Sequence, residues 1–431
     1  MTAAAHPRTP VTADLLADWL VDARRRTLEL IGDLSDAQML GTPLAITNPL
    51  LWEIGHLAWF HEQWVLRHHG GRAPIRADAD SLYNSSEVPH DSRWDLHLPS
   101  RADTLRYLEQ VQQQILDRLH TEPLDEKLAY FVQLGVFHED MHTEAFTYTR
   151  QTLTYPRPRF ALPAPTQSAG GPCPGDVVIE GGQFQLGAAP GEAFVFDNEK
   201  WAHAVEVQTF AIARAPVTQA EFAAFVEDHG YLRAALWSAA GWQWREQMRA
   251  EHPVYWQRAA NGWLRRDFDQ WRALELHRPV LHVNWYEADA YCRWAKRRLP
   301  TEAEWELAAS GSPKRRFPWG EADPTPARAN LDGCALGCTD VGDCHAGDSP
   351  AGVRQLIGNV WEWTASDFLP YPGFVVDPYR DYSQPWFGDH KVLRGGCWAT
   401  RARLLRNTWR NFYKPDRRDI WAGFRTCALE V

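Results

Sequence analysis

The sequence predicts a chain of α plus α+β class, a four-helix bundle followed by an irregular α+β domain. Three observations carry this expectation. At 431 residues the chain exceeds what one hydrophobic core organises, so two domains are expected. Residues 11–155 read as amphipathic helices, whereas residues 176–431 read as short strands, turns and a few short helices. Between them, YPRPRFALPAPTQSAGGPCPG from Tyr155 to Gly175 is too dense in Pro, Gly and Ala for either, and residues 156–175 are expected to be a linker.

The first helix is ADLLADWLVDARRRTLELIGDL, with apolar residues at three- and four-residue spacing. The second runs through NPLLWEIGHLAWFHEQWVLRHH, where Asn48 fits the N-cap and Pro49 the first turn. SRADTLRYLEQVQQQILDRLH forms the third and EKLAYFVQLGVFHEDMHTEAFTYTRQTL the fourth, completing a bundle. The connection DSLYNSSEVPHDSRWDLHLPS is long and polar, as functional loops often are. Beyond the linker, WYEADAYCRWAKRRL and TEAEWELAAS are the clearest helices, and Thr301 with Glu304 has the spacing of a capping box. No internal repeat is found.

Composition narrows the function classes. With 45% hydrophobic and 23% charged residues the chain is of ordinary globular type. Its 22 tryptophans predict aromatic-rich cores. A net charge of −10 argues against a nucleic-acid partner. No apolar run reaches the roughly 20 residues that span a bilayer, and the start MTAAAHPRTPVTADLL lacks the apolar core of a secretory signal. Seven scattered cysteines, an odd number, fit a reducing cytoplasm rather than a disulfide framework. Cys334, Cys338, Cys344 and His345 cluster, but their spacing matches no common zinc pattern.

The chemistry concentrates in histidines. HEDMH places His138 and His142 four residues apart on one helical face, so both imidazoles can reach one metal. The pattern is superficially that of the HExxH zinc proteases, whose glutamate is the general base. A third ligand has to come from elsewhere. His56, mid-helix in WEIGHLAWF, is the best placed, with His61, His68 and His69 as competitors. A lone histidine is more often a hydrogen-bonded core residue; a pair at this spacing with a mid-helix partner favours a metal. Three histidines leave positions open, for water on zinc or for substrate, co-substrate and dioxygen on iron(II). Spacing does not choose between them.

Longer motifs narrow the choice. NPLLWEIGH and HEDMH lie in a half that resembles the DinB-like bundles, in which three histidines hold a metal. The second half resembles the formylglycine-generating enzyme fold, a C-type-lectin-like architecture, over nearly its whole length. The matching stretches are GGQFQLGA at 181, ARAPVTQAEFAAFV at 213, RPVLHVNWYEADAYCRWAKRRLPTEAEWELAA at 278, GNVWEWTAS at 358 and VLRGGCWAT at 392, with RNTWRN and AGFRTC near the end. The cysteine pair those enzymes use is replaced by Thr400 and Leu405, with Cys397 elsewhere, so their chemistry is not expected.

Bundle, linker and formylglycine-type domain in that order resemble the group of ergothioneine-pathway sulfoxide synthases, ovothiol synthases and selenoneine synthases. The resemblance implies iron(II) held by His56, His138 and His142, selecting His56 over His61. It implies an oxidoreductase that uses dioxygen to join sulfur or selenium to the imidazole of trimethylhistidine (hercynine). It also implies a second-domain tyrosine that delivers a proton or hydrogen atom; in VVDPYRDYSQPWFG this is Tyr379, with Tyr382 in reserve. Met141, Asn411 and Phe412 fall on substrate-binding positions, Met141 replacing a glutamine and Phe412 a tryptophan. A trimethylammonium group favours aromatic faces.

The family pattern breaks at the chalcogen donor. Members that accept γ-glutamylcysteine grip its charged ends with two loop arginines and a C-terminal aspartate–arginine set, through bidentate contacts. Here His90 stands at the first arginine and Arg93 at the second, while Tyr413 replaces the aspartate and Arg417 is kept. A fully desolvated charge without its partner costs of order 2–5 kcal/mol. His90 and Tyr413 can instead hydrogen-bond a neutral polyol. The expected donor is therefore a selenosugar, as in the selenoneine synthases, whose loop YNSSEVPHDSRWDL also resembles. The alternative is an ergothioneine-type sulfoxide synthase using cysteine or γ-glutamylcysteine. A zinc-dependent DinB-type thiol transferase is a further alternative, and a non-catalytic binding protein is disfavoured by the complete ligand set and Tyr379.

Overall fold

The protein is described by a computed structural model over residues 11–161, 169–192 and 194–430. The first ten residues of the start segment and residues 162–168 of the linker lie outside the described residues. The chain divides into two compact units, Met1–Ala161 and Leu162–Val431.

The first unit is a bundle of α1 (Ala13–Ile31), α2 (Leu50–His61), α3 (Arg101–Thr121) and α4 (Glu126–Thr152). Thr12, Ser100 and Asp125 cap α1, α3 and α4 by accepting backbone N–H groups of their first turns. Asn48 does not cap α2 as the sequence predicts. Pro49 is the N-cap, its carbonyl accepting from the Glu53 N–H at 3.0 Å. The Asn48 side chain is turned instead to the Glu53 carboxylate and to Arg93. The predicted second helix is also not uniform. After His61 it widens into π-helical turns over Glu62–His69, where the Arg118 guanidinium donates to the Val65 carbonyl at 2.6 Å.

Every residue of α2 but Leu51 is buried, so α2 is the central helix rather than a surface one. It packs against α3 and α4, and α1 packs against the same two. The connection from α2 to α3 carries short helical turns at Ala79–Tyr83 and His90–Ser92.

The second unit is built of short pieces. One four-stranded sheet has the order Asp176–Ile179, Phe210–Ala213, Cys427–Ala428, Arg297–Arg298. The other has the order Asn411–Tyr413, Lys391–Arg394, Trp361–Asp367, Ala422–Gly423, antiparallel except for the last pair. Trp305, Trp361, Trp363 and Trp398 are fully buried, so tryptophan is core here as the composition predicts. Buried charges are paired: Arg425 meets Glu362, and Arg394 meets Glu302 and Glu306. The capping box at Thr301 and Glu304 forms as read from the sequence. Among the described residues no helix is long and apolar enough to cross a membrane.

Candidate metal centre and substrate-binding residues

His56 comes from the middle of α2, and His138 and His142 from successive turns of α4. Their ligand atoms lie within 4.8 Å of one another, the one such cluster of His, Cys, Asp and Glu among the described residues. His138 Nε2 lies 3.3 Å from His56 Nε2 and 3.2 Å from His142 Nε2. The Nδ1–H of His56 donates to the Tyr83 carbonyl at 2.7 Å, so its Nε2 carries a lone pair. The Nδ1–H of His142 donates to the Glu53 carboxylate, which leaves its Nε2 a lone pair as well. Lone pairs aimed at one point repel unless a cation lies between them. The donor set therefore fits a metal with three nitrogen ligands and open positions.

The surroundings keep His56 and His138 neutral. Burial, and then His142, push His56 down to about 3. Burial likewise drives His138 well below its usual value. Burial alone would raise the Glu53 carboxyl, but the facing His142 reverses this and holds it at about 2. The Trp52 ring stacks on His56 at 4.9 Å, and the Phe60 ring on His138 at 3.6 Å.

His61, a competitor in the sequence, is spent elsewhere. Its Nε2 meets Glu139 at 3.0 Å, and Glu139 also accepts from Arg24 at 2.9 Å and Thr27 at 2.7 Å. Glu139 follows His138 directly, so the helix turns it about 100° away from the ligand face. It is a buried anchor, not the general base of a zinc-protease pattern. His68 and His69 lie on the π-helical turns. The cysteines of the second unit form no metal cluster: the Cys338 thiol donates to the Asn359 carbonyl and the Cys344 thiol to the Pro326 carbonyl.

Of the donor residues expected in the first unit, Arg93 is buried. It donates to Asn48 Oδ1 at 2.8 Å and the Val88 carbonyl at 3.2 Å, and lies 3.9 Å over the Trp52 ring. His90 Nε2–H donates to the Thr47 carbonyl at 2.7 Å. Met141 is half-buried on α4, next to His142.

The second unit gathers the remaining expected residues. Asn411, Phe412 and Tyr413 form one short strand, paired with Leu393, Val392 and Lys391. Phe412 stacks on Phe368 at 4.1 Å and touches Tyr382 at 5.5 Å. Tyr382 in turn stacks with Tyr379 at 6.3 Å, and its hydroxyl accepts from Trp409 Nε1 at 3.0 Å. Burial, and then Asp381, shift the Tyr379 phenol upward. The Arg417 guanidinium is bidentate to Asp419, at 2.7 and 2.8 Å, and lies 5.2 Å over the Tyr413 ring. Thr400 and Cys397 are fully buried, the Thr400 hydroxyl accepting from the Cys397 N–H, and no disulfide forms among the described residues.

Three residues escape the sequence reading: Glu53, Tyr83 and Glu139. Glu53 had a usable signal, since it stands three residues before His56 on the same helical face. Tyr83 acts through its backbone carbonyl, which no side-chain pattern reveals.

A DinB superfamily domain matches residues 20–146, and a sulfatase-modifying factor enzyme 1-like domain matches residues 160–429. Bundle-borne histidines and that second domain define a class of two-domain proteins with a candidate metal centre in the bundle. The chain is 39% identical to a hercynine oxygenase of Mycolicibacterium thermoresistibile, over 95% of this chain and 94% of that one. Its identity to a hercynine oxygenase of Mycolicibacterium smegmatis is 37%, over 96% and 99%. A formylglycine-generating enzyme of Streptomyces coelicolor is 34% identical over 60% of this chain and 90% of its own length. The chain belongs to the hercynine oxygenase family and is an oxidoreductase.

Proposed function

We propose that this enzyme uses iron(II) and dioxygen to join the selenium of a selenosugar to the imidazole ring of hercynine. The observation that carries the reading is the convergent His56, His138 and His142 Nε2 set, in a chain whose near full-length relatives are hercynine oxygenases. Iron(II), when bound, supplies open coordination positions and one-electron chemistry toward dioxygen. The overall change balances as an imidazole C–H, a selenol R–SeH and O2 giving C–Se(=O)–R and water. One oxygen atom ends on selenium and the other takes both hydrogens.

The chain's own groups orient the reactants and move protons. Tyr379, its phenol shifted upward and so protonated at neutral pH, is the proton or hydrogen-atom donor, with Tyr382 in reserve. Asn411, Phe412 and Met141 contact hercynine, and Phe412 offers an aromatic face to its trimethylammonium group. The donor reading rests on His90, Arg93, Tyr413 and Arg417. Arg417 already grips Asp419, and Arg93 already grips Asn48, so neither presents both arms of its fork to a donor carboxylate. Tyr413 carries an uncharged hydroxyl that suits a sugar, while both ring nitrogens of His90 are already engaged, with the Thr47 carbonyl and the Asp91 carboxylate.

A second reading, a sulfoxide synthase taking cysteine or γ-glutamylcysteine, is favoured by the buried Arg93 Nε, a charged donor with no hydrogen-bond partner of its own. One competition assay separates the two. The iron(II) protein receives hercynine in air with selenosugar, thiosugar, cysteine and γ-glutamylcysteine together, and the selenosugar conjugate is expected to dominate. Preference for γ-glutamylcysteine would overturn the selenosugar reading. Full activity with zinc and no dioxygen would overturn the oxygenase reading itself.

A further inference from the structure

Two chains of contacts run from Arg93 to two of the three histidines. Along the first, Arg93 Nη1 donates to Asn48 Oδ1 at 2.8 Å, and Asn48 Nδ2 donates to Glu53 Oε1 at 2.5 Å. Glu53 Oε2 then takes the Nδ1–H of His142. Along the second, the Arg93 guanidinium lies 3.9 Å over Trp52, whose ring is parallel to His56 within 9° at 4.9 Å. Glu53 is only 6% exposed and Arg93 8%, so water does little to screen either group.

A carboxylate this deep is costly unless it is paired and hydrogen-bonded. Its two hydrogen-bond donors are an uncharged amide and an imidazole that faces the convergent nitrogen set. We propose that Glu53 is a positioning residue of the metal centre, holding His142 with a formal negative charge, and that Asn48 and Arg93 hold Glu53 in turn. The inference rests on the metal-centre reading above. The carboxylate fixes the His142 tautomer and makes its Nε2 a stronger donor toward a dication, as carboxylate–histidine–metal arrangements do. Arg93, aligned with a donor-binding arginine, therefore also acts on the metal site from behind.

A neutral amide in place of Glu53 would still accept the His142 hydrogen bond, so Glu53→Gln isolates the charge. Glu53→Asp keeps the charge and gives up reach. The full-length protein is stripped with a chelator and titrated with cobalt(II) against a competing chromophoric chelator, with circular dichroism to monitor the fold. Glu53→Gln is expected to weaken cobalt binding about 10–100-fold, with Glu53→Asp closer to wild type and Asn48→Ala shifted less in the same direction. The cobalt visible bands of Glu53→Gln should also move, which a purely structural role would not produce. Wild-type affinity and unchanged bands in folded Glu53→Gln would overturn the inference while leaving the metal centre intact. A wild-type protein that binds no cobalt would instead remove the metal-centre reading, and this inference with it.

Discussion

At the scale of single residues, the histidines were legible because spacing on a helix is a one-dimensional property. Their partners were not, because each comes from a segment far along the chain. Glu139 is the clearest case: its sequence neighbourhood mimics a catalytic base, yet it is fully buried against Arg24, His61 and Thr27. Glu139→Gln leaves the Arg24 charge uncompensated and is expected to lose roughly 3–5 kcal/mol of stability in urea unfolding. A second buried group, His282, gives a pH dependence. Burial, and then Arg265 and Arg266, push it from 6.5 down to about 3. Between those values the unfolded chain binds a proton that the folded chain does not. Stability is thus full above pH 6.5 and falls as pH drops toward 3, by about 1.4 kcal/mol per pH unit. Urea unfolding at pH 7, 6 and 5 should show this contribution added to that of the buried His56 and His138, and His282→Asn, suited to the backbone φ of +61° there, should reduce the slope without removing it.

At the scale of elements, periodicity located the four bundle helices but not their irregularities. The π-helical turns after His61 hold a contact that periodicity does not reveal, Arg118 of α3 reaching the Val65 carbonyl from 53 residues away in the chain. The Asn48 cap failed for a related reason, since Glu53 and Arg93 claim its side chain before the helix terminus can. Gly55 shows how closely elements meet beside His56. A Cβ there would lie 2.2 Å from Tyr83 Cε1, and Tyr83 is buried with its carbonyl on His56. Alanine normally favours a helix over glycine by about 1 kcal/mol. Gly55→Ala is nonetheless expected to destabilise, by roughly 1–3 kcal/mol from overpacking, and to weaken metal binding by displacing Tyr83. Chemical denaturation and cobalt titration of the same variant check both.

At the scale of the whole molecule, the change from helical period to short irregular runs announced two kinds of domain, and length alone required more than one core. What sequence could not supply was which buried charges pair: Arg394 with Glu302 and Glu306, or Arg425 with Glu362, are contacts across distant stretches of chain. The metal centre links folding to ligand in a measurable way. A ligand bound only by the native state stabilises by about 2.7 kcal/mol at a hundred times its Kd. Cobalt(II) at that excess is expected to raise the melting temperature of the chelator-treated protein, read by the helical circular dichroism signal. His138→Ala should abolish the increase, and an equal increase in that variant would place the ion elsewhere.

His56 is steadied by a main-chain carbonyl, and His142 by a side chain. No single codon change deletes a carbonyl, whereas one is enough to alter Glu53. Sequence drift, or a laboratory selection for a different metal or potential, can therefore retune the proposed ligand His142 directly, whereas the proposed ligand His56 is reached only by moving the backbone that holds it, as a side chain at Gly55 would. Variation among natural or evolved versions of this centre should accumulate around His142 and spare the geometry at His56.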